Sequence, residues 1–411
     1  MKILISGASV AGPVLAYWLR RHGFTPTVVE RSPTPRKTGG HAVDLFRPAM
    51  AIAERMGVLP AVLARGTGTD RMTLLRAGQT RGVEVDVARL MAAFSDRHVE
   101  IMRDDLSEIL LGATGDVEYV YGDSIAAIAE DARGVDVTFE RGAARRFDLV
   151  IGADGLHSNV RRLVFGEERR FASHIGAYLA VVTLPNYLGL QNHAVMFGAP
   201  GRMAGLYSAR HMDDARAVFL WRSPPIEVHH RDVARQKQLV REAFAGAGWA
   251  ELPRVMAELE RTPAFYFDAI TQLRMDSWSR GRVSLVGDAG YSPGPAVGGS
   301  TSLAVVGAYV LAGELAAAGG DHVRAFAATE RAMIDYVRRS RVFAVGAARH
   351  LIPGGRLELW AQARIMWLLS HMPTRLARAV TNLSRKGVRL HDEFVVQDYA
   401  RPRDVAGASA A

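Results

Sequence analysis

The first thirty residues constrain the fold more than any other stretch. Lys2 to Ser6 is a short apolar run of strand type, followed at once by the turn Gly7-Ala8-Ser9-Val10-Ala11-Gly12. From Pro13 to His22 the apolar residues Val14, Leu15, Trp18 and Leu19 recur at helical spacing. Gly23 then ends the helix as a left-handed cap does. Thr27-Val28-Val29 reads as a second strand and closes on Glu30. The stretch is a βαβ unit.

Its turn has the frame G-x-G-x-x-G, with Ser9 in place of the second glycine. The outer glycines serve a tight turn and close helix–strand packing, and the middle position lets backbone approach a pyrophosphate. The helix start presents free N–H groups and a positive dipole end to phosphates. Glu30 follows Gly12 by 18 residues, where an acid hydrogen-bonds an adenosine ribose. Gly7, Ser9, Val10, Ala11, Gly12 and Glu30 are therefore candidate nucleotide contacts. At this point NAD and FAD fit equally.

Two later turns separate them. Asp148-Leu149-Val150-Ile151-Gly152-Ala153-Asp154-Gly155 is again a strand running into a Gly/Asp turn, with a helix expected after Ser158. Leu285 to Thr301 reads LVGDAGYSPGPAVGGST, a strand, a turn dense in Gly and Pro, then a long apolar helix. Three such turns exceed what one NAD needs, whereas FAD is long enough to touch all three.

With these residues the chain resembles, over nearly its full length, the class A flavoprotein monooxygenases. That is the group of para-hydroxybenzoate hydroxylase, the tetracycline-inactivating monooxygenases and the polyketide hydroxylases. The resemblance implies that the first motif holds the ADP part of FAD, with Arg31 over the adenine. It implies cofactor contacts from Asp154, in a "DG" motif with Ser158, Val160 and Arg161, and from Gly287 and Asp288, in a "GD" motif reaching the ribityl–ribose region. Gly39-Gly40-His41-Ala42-Val43-Asp44-Leu45 resembles the loop beside the isoalloxazine, with Asp44 toward the flavin. Arg103, in Arg103-Asp104-Asp105-Leu106, resembles an arginine that reaches the phosphate–ribityl region. The turn with Pro295, Gly298, Gly299 and Ser300 passes the ring at backbone distance. The helix after it aims its N–H groups at the electron-rich end of the ring. Tyr291, Gly290, Ser302 and Gly307 depart from the family's His, Ala, Asn and Asp, which bears on flavin orientation and redox tuning.

Ala177 to Leu184, Ala194 to Phe197, Gly205 to Ser208 and Ala215 to Trp221 read as short strands. An antiparallel sheet here corresponds to the family's substrate domain. Alternation puts Ala217, Phe219 and Trp221 on one face and Val218, Leu220 and Arg222 on the other, and either face fits the substrate side. Phe197, Tyr207 and Trp221 are the substrate candidates, with ordinary sheet core as the competing role. Residues 227–260 read as helical, with His229-His230 at the surface. So do Asp321 to Ala347 and Leu357 to about Lys386, the last piece broken near Pro373 and carrying Arg364, Arg375, Arg378 and Arg385.

The expected fold is α/β (α+β), a Rossmann-like FAD-binding domain with an inserted antiparallel-sheet domain and a long C-terminal helix. The boundaries are 1–170 and 276–345 for the FAD-binding parts, 171–275 for the substrate domain and 346–411 for a helical bridge and tail. A chain of 411 residues, 49% hydrophobic and 23% charged, suits such a multidomain core. The net charge of +9 comes from scattered arginines without a basic block, so no nucleic acid is expected. Cysteine is absent, which removes thiolate nucleophiles, Cys-ligated zinc and disulfides and suits a reducing cytoplasm. The start is too short in apolar residues for a signal peptide. The apolar run Ser302 to Gly319 contains Glu314 and reads as a buried helix, so no membrane span is expected; a basic amphipathic C-terminal helix lying on a membrane is the competing reading.

No second nucleotide-binding unit follows, which argues against flavoproteins with two dinucleotide domains, and the resemblance implies that NADPH or NADH binds only transiently as co-substrate. No metal and no catalytic side chain are expected, because the resemblance places the chemistry on FAD. NAD(P)H reduces it, O2 adds at C4a, and the hydroperoxide oxygenates an aromatic or polycyclic small molecule. A Baeyer–Villiger oxygenase, a flavin oxidase or dehydrogenase, and a non-catalytic flavin-binding accessory protein are the alternatives. A monomer or homodimer is expected.

Overall fold

The computed structural model describes residues 1–35, 39–79, 81–94, 97–229, 231–295, 299–373, 376 and 393–399. The βαβ unit is present: strands Lys2–Ser6 and Thr25–Glu30 pair in parallel, joined by the helix Ala11–Arg21. They sit in a six-stranded sheet ordered Ser279–Arg280, Val283–Leu285, Leu149–Gly152, Lys2–Ser6, Thr25–Glu30, Glu118–Tyr121. All neighbours are parallel except the short edge strand Ser279–Arg280. The strands opening the three glycine turns are therefore adjacent, although their residues are far apart in sequence. They are continuous apolar runs such as Ile3-Leu4-Ile5 and Leu149-Val150-Ile151, fully buried, as strands covered on both faces must be.

One cover is the helix Ser300–Ala317, buried around its whole circumference. It is the one described helix long and apolar enough to cross a bilayer, and here it packs between the Ala11–Arg21 and His322–Leu351 helices. Glu314 on it accepts a hydrogen bond from Tyr399 Oη at 2.8 Å.

A seven-stranded sheet is ordered Phe265–Leu273, Ala172–Pro185, Asp214–Arg222, Arg202–Tyr207, His193–Ala199, Arg71–Arg76, Val83–Asp86. Its last two strands come from within 1–170, with Arg71–Arg76 pairing in parallel to His193–Ala199. The sheet thus crosses the expected 170/171 boundary. Backbone pairing of an otherwise open edge is a tertiary event, and the local sequence carries no mark of it.

The two faces of this sheet have different covers. Tyr178, Phe197, Leu206, Ala217, Phe219 and Trp221 point to one side, where Val240 and Phe244 of the helix Val233–Phe244 and Val255 and Leu259 of the helix Leu252–Arg261 close over them. Those two helices replace the single helical stretch expected over 227–260, broken at Gly246 and Gly248, both at positive φ. Leu179, Val181, Leu220 and Ile270 point the other way, against Ala344 and Ala348 of the long helix His322–Leu351. The C-terminal helix Arg356–His371 lies against Val83–Asp86 and Val87–Phe94. His230, Arg375, Arg378 and Arg385 lie outside the described residues.

Candidate functional site

At the carboxyl ends of the parallel strands lies a cavity of about 330 Å³. Ser6 to Ala11, Glu30 and Arg31, Tyr121 and Asp123, Ala153 to His157, and Val286 and Asp288 line it, each group following a different strand of the six-stranded sheet. Arg103, Ser300 and Thr301 complete that side, and Tyr266 and Asp268 of the seven-stranded sheet form the opposite wall.

The turns are built for backbone approach. Gly7 has φ +108°, and a Cβ there would sit 2.5 Å from the Ala153 carbonyl oxygen, so a side chain at this position would force the first two turns apart. A Cβ on Gly12 would collide with the Gly7 carbonyl. The helix Ala11–Arg21 starts without a side-chain cap and without an acid in its first turn, leaving its N–H groups to whatever fills the cavity. The helix Ser300–Ala317 starts likewise, from Gly299 in the left-handed region.

Glu30 accepts from the N–H groups of Ala8 and Ser32, each at 2.9 Å, which holds its carboxylate beside the first turn. Asp154 accepts from Ser158 Oγ and from the N–H groups of Asn159 and Val160 at 2.9 and 3.1 Å. It therefore anchors the start of the helix Asn159–Val164 while facing the cavity. Burial pushes its carboxyl above the usual range. Burial does the same to Asp288, reinforced by the charge of Asp268 and opposed by Ser300, whose Oγ donates to Asp288 at 2.7 Å. Arg103 brings a cation to this wall, its guanidinium 5.9 Å from the Tyr266 ring centre.

The donors and acceptors fit a dinucleotide: two uncapped helix starts and an arginine for phosphate and ring oxygens, two carboxylates for sugar hydroxyls, and glycines where a side chain would fill the cavity. A family model described as "FAD binding domain" matches residues 1–325. The chain belongs to this FAD-binding family.

It is an FAD-dependent monooxygenase by its relatives. It is 39% identical to a flavin-dependent monooxygenase of Legionella longbeachae serogroup 1 (strain NSW150), covering 84% of this chain and 88% of the relative. It is 43% identical to an uncharacterized protein, Rv1260, of Mycobacterium tuberculosis (strain ATCC 25618 / H37Rv), over 82% of this chain and 91% of the relative. The crystal structure of tetracycline destructase Tet(55) superposes with a TM-score of 0.82 at 34% identity, covering 97% of this chain and 98% of that one.

In this monooxygenase Gly7, Ser9, Val10, Ala11, Glu30, Arg31, Arg103, Asp154, Asp288 and Ser300 meet at the one cavity or frame its turns. Other expected residues stand elsewhere. Gly287, between the lining residues Val286 and Asp288, has a positive φ, and a Cβ there would stand 3.1 Å from the Ala304 methyl and 3.5 Å from that of Ala11. Asp44 binds His98, Oδ1 to Nε2 at 2.6 Å, on the ribbon of Ala42–Phe46 with His98–Met102, away from the lining. Pro295 and Gly299 flank the start of the Ser300–Ala317 helix without lining the cavity, and Gly298 lies outside the described residues.

Phe197 and Trp221 are corrected to sheet core. Phe197 is 2% exposed and stacks on Trp249 at 5.8 Å, and Trp221 stacks on Tyr178 at 5.5 Å, both beneath the covering helices. Tyr207 points the other way, its hydroxyl accepting from the Ala42 N–H at 3.0 Å. Beside it Arg216 donates from Nε to the Gly40 carbonyl at 3.1 Å.

Tyr266, Asp268 and His157 escaped sequence reasoning. The signal available was an acid, Asp268, set two residues from Tyr266 on one face of the otherwise uncharged strand FYFDAITQL.

Proposed function

We propose that this monooxygenase uses NADPH or NADH and O2 to place one oxygen atom in an aromatic or polycyclic small molecule, in the cytoplasm where the reductant is available. The observation that carries this is the convergence of the three separated glycine turns, two of them with an Asp, on one cavity walled by the seven-stranded sheet. FAD, when bound, supplies the electron transfer and oxygen activation. The protein's own part is to bind, orient and shield. The N–H groups of Ser9, Val10 and Ala11 and the Arg103 guanidinium would hold the phosphates. Glu30 would take a ribose hydroxyl, with Arg31 at the adenine, and Asp288 a ribityl hydroxyl. Tyr207 and Arg216, which bind the 40–42 loop, are the candidates nearest a substrate on the inner face of the sheet. In domain terms, 1–170 without strands 71–86, together with 276–345, would form the cofactor side.

The tetracycline destructase likeness makes flat polycyclic phenols the first compounds to try. The test is the visible spectrum of the purified protein, then NADPH consumption in air with a panel of phenols and tetracycline-like compounds, using ¹⁸O2. Ligand-stimulated NADPH loss with one labelled oxygen in a hydroxylated product supports the reading. Label in a ring-opened product supports Baeyer–Villiger chemistry instead, and unlabelled product would reduce the protein to an oxidase or dehydrogenase.

A further inference from the structure

We propose that the His157–Asp268 ion pair is a latch across the cavity that sets how long FAD stays bound. The two residues stand on opposite walls. His157 belongs to the turn after the strand Leu149–Gly152, and Asp268 to the seven-stranded sheet. His157 Nε2 lies 3.4 Å from Asp268 Oδ2. Its other nitrogen, Nδ1, lies 3.1 Å from Glu168, and Glu168 in turn binds Nη2 of the fully buried Arg161 at 2.6 Å. Arg161 Nη1 donates to the Ala289 carbonyl at 2.9 Å, inside the turn that carries Asp288. The latch is thus anchored on the cofactor side by a chain of alternating charges running from His157 to the Asp288 turn. On the sheet side Asp268 is steadied by the Tyr266 hydroxyl, which donates to Oδ2 at 3.3 Å.

The groups facing His157 are Asp268 from the sheet and Glu168 from the short turn Glu168–Arg170, with Arg161 behind Glu168. Burial opposes a charge on the imidazole, but hydrogen bonds and charges from Asp268 and Glu168 outweigh it and hold its pKa up at about 10. His157 is a cation throughout the neutral range. It ties the walls together, and it also offsets a carboxylate that lines the same cavity the anionic cofactor would fill. Losing the histidine removes both effects. Losing Asp268 removes the tie but also the repulsive charge.

The proposal rests on FAD filling this cavity, and its test needs no substrate. FAD release from holoenzyme is followed by the oxidase activity regained when the holoenzyme is mixed with excess apo-D-amino-acid oxidase, an FAD-specific trap. His157→Gln is expected to speed release by about tenfold, the scale of losing a partly buried ion pair. Asp268→Asn should speed it less, and the double variant should be no faster than His157→Gln alone. Wild-type release should quicken as the pH rises through about 10, and Asp268→Asn should lack that rise. If His157→Gln does not fold, the pH profiles of wild type and Asp268→Asn still decide. Wild-type release rates in both single variants, additive effects in the double variant, or identical pH profiles would overturn the latch.

Discussion

Two departures from the family pattern turn out to be one compensated change. A Cβ on Gly307 would run into the Tyr291 hydroxyl, so the large residue at 291 occupies the space that the small one at 307 leaves. Tyr291 is 1% exposed, its ring 4.5 Å from Trp278. The pair therefore belongs to the core beneath the site, and the departures give no ground for a non-catalytic role. Gly307→Ala is expected to cost about 1–3 kcal/mol through overpacking. Adding Tyr291→Phe should recover most of it, as read from thermal unfolding of the single and double variants. Ser302 is likewise accounted for: its Oγ accepts from the Phe46 N–H at 2.9 Å and donates to the Asp44 carbonyl at 3.1 Å. It ties the helix start to the 42–46 strand.

At the scale of elements, four strands of the six-stranded sheet were legible because they are short apolar runs ending in turns or an acid of distinctive chemistry, whereas Glu118–Tyr121 and Ser279–Arg280 carry no such mark. The inner sheet was only half legible. Alternation assigns Ala217, Phe219 and Trp221 to a common face, but it cannot say which face meets the cavity. Two helices that are themselves amphipathic decide it by covering that face. Phe197→Ala should accordingly lose about 3–5 kcal/mol of stability as a core truncation. The folded fraction should keep its KM for substrate, a comparison made with melting curves and steady-state kinetics side by side. Strands Arg71–Arg76 and Val83–Asp86 were missed because their burial is partial, and the hairpin they form joins the sheet only through His193–Ala199, more than a hundred residues away.

For the whole molecule, the cavity is assembled from segments between Ser6 and Ala304, so a ligand that fills it ties the folded chain together. FAD at about 100 times its dissociation constant should add roughly 2.7 kcal/mol to stability. The check is a melting temperature that climbs with FAD concentration and stays fixed in a variant carrying Gly7→Val, whose side chain would force the first two turns apart. The charge chain adds a pH dependence of definite sign. His157 is raised in the folded state from its ordinary 6.5 to about 10. Its contribution is therefore complete below about 6.5 and is lost as pH climbs through about 10. The difference in melting temperature between wild type and His157→Gln should narrow over that range.

The sequence alone determined the parallel strands, the three turns that follow them, and Glu30 and Asp288 as acids that end up on the cavity wall. Each rests on local rules: strand hydrophobicity, glycine where backbone must come close, an acid at a strand end. Only the tertiary structure decided which face of the seven-stranded sheet looks at the cavity, that Gly287 stands close against Ala304, and that Asp44 pairs with His98. It alone brought His157 opposite Asp268. Those are contacts between segments distant in sequence, and which charges meet depends on how the elements pack.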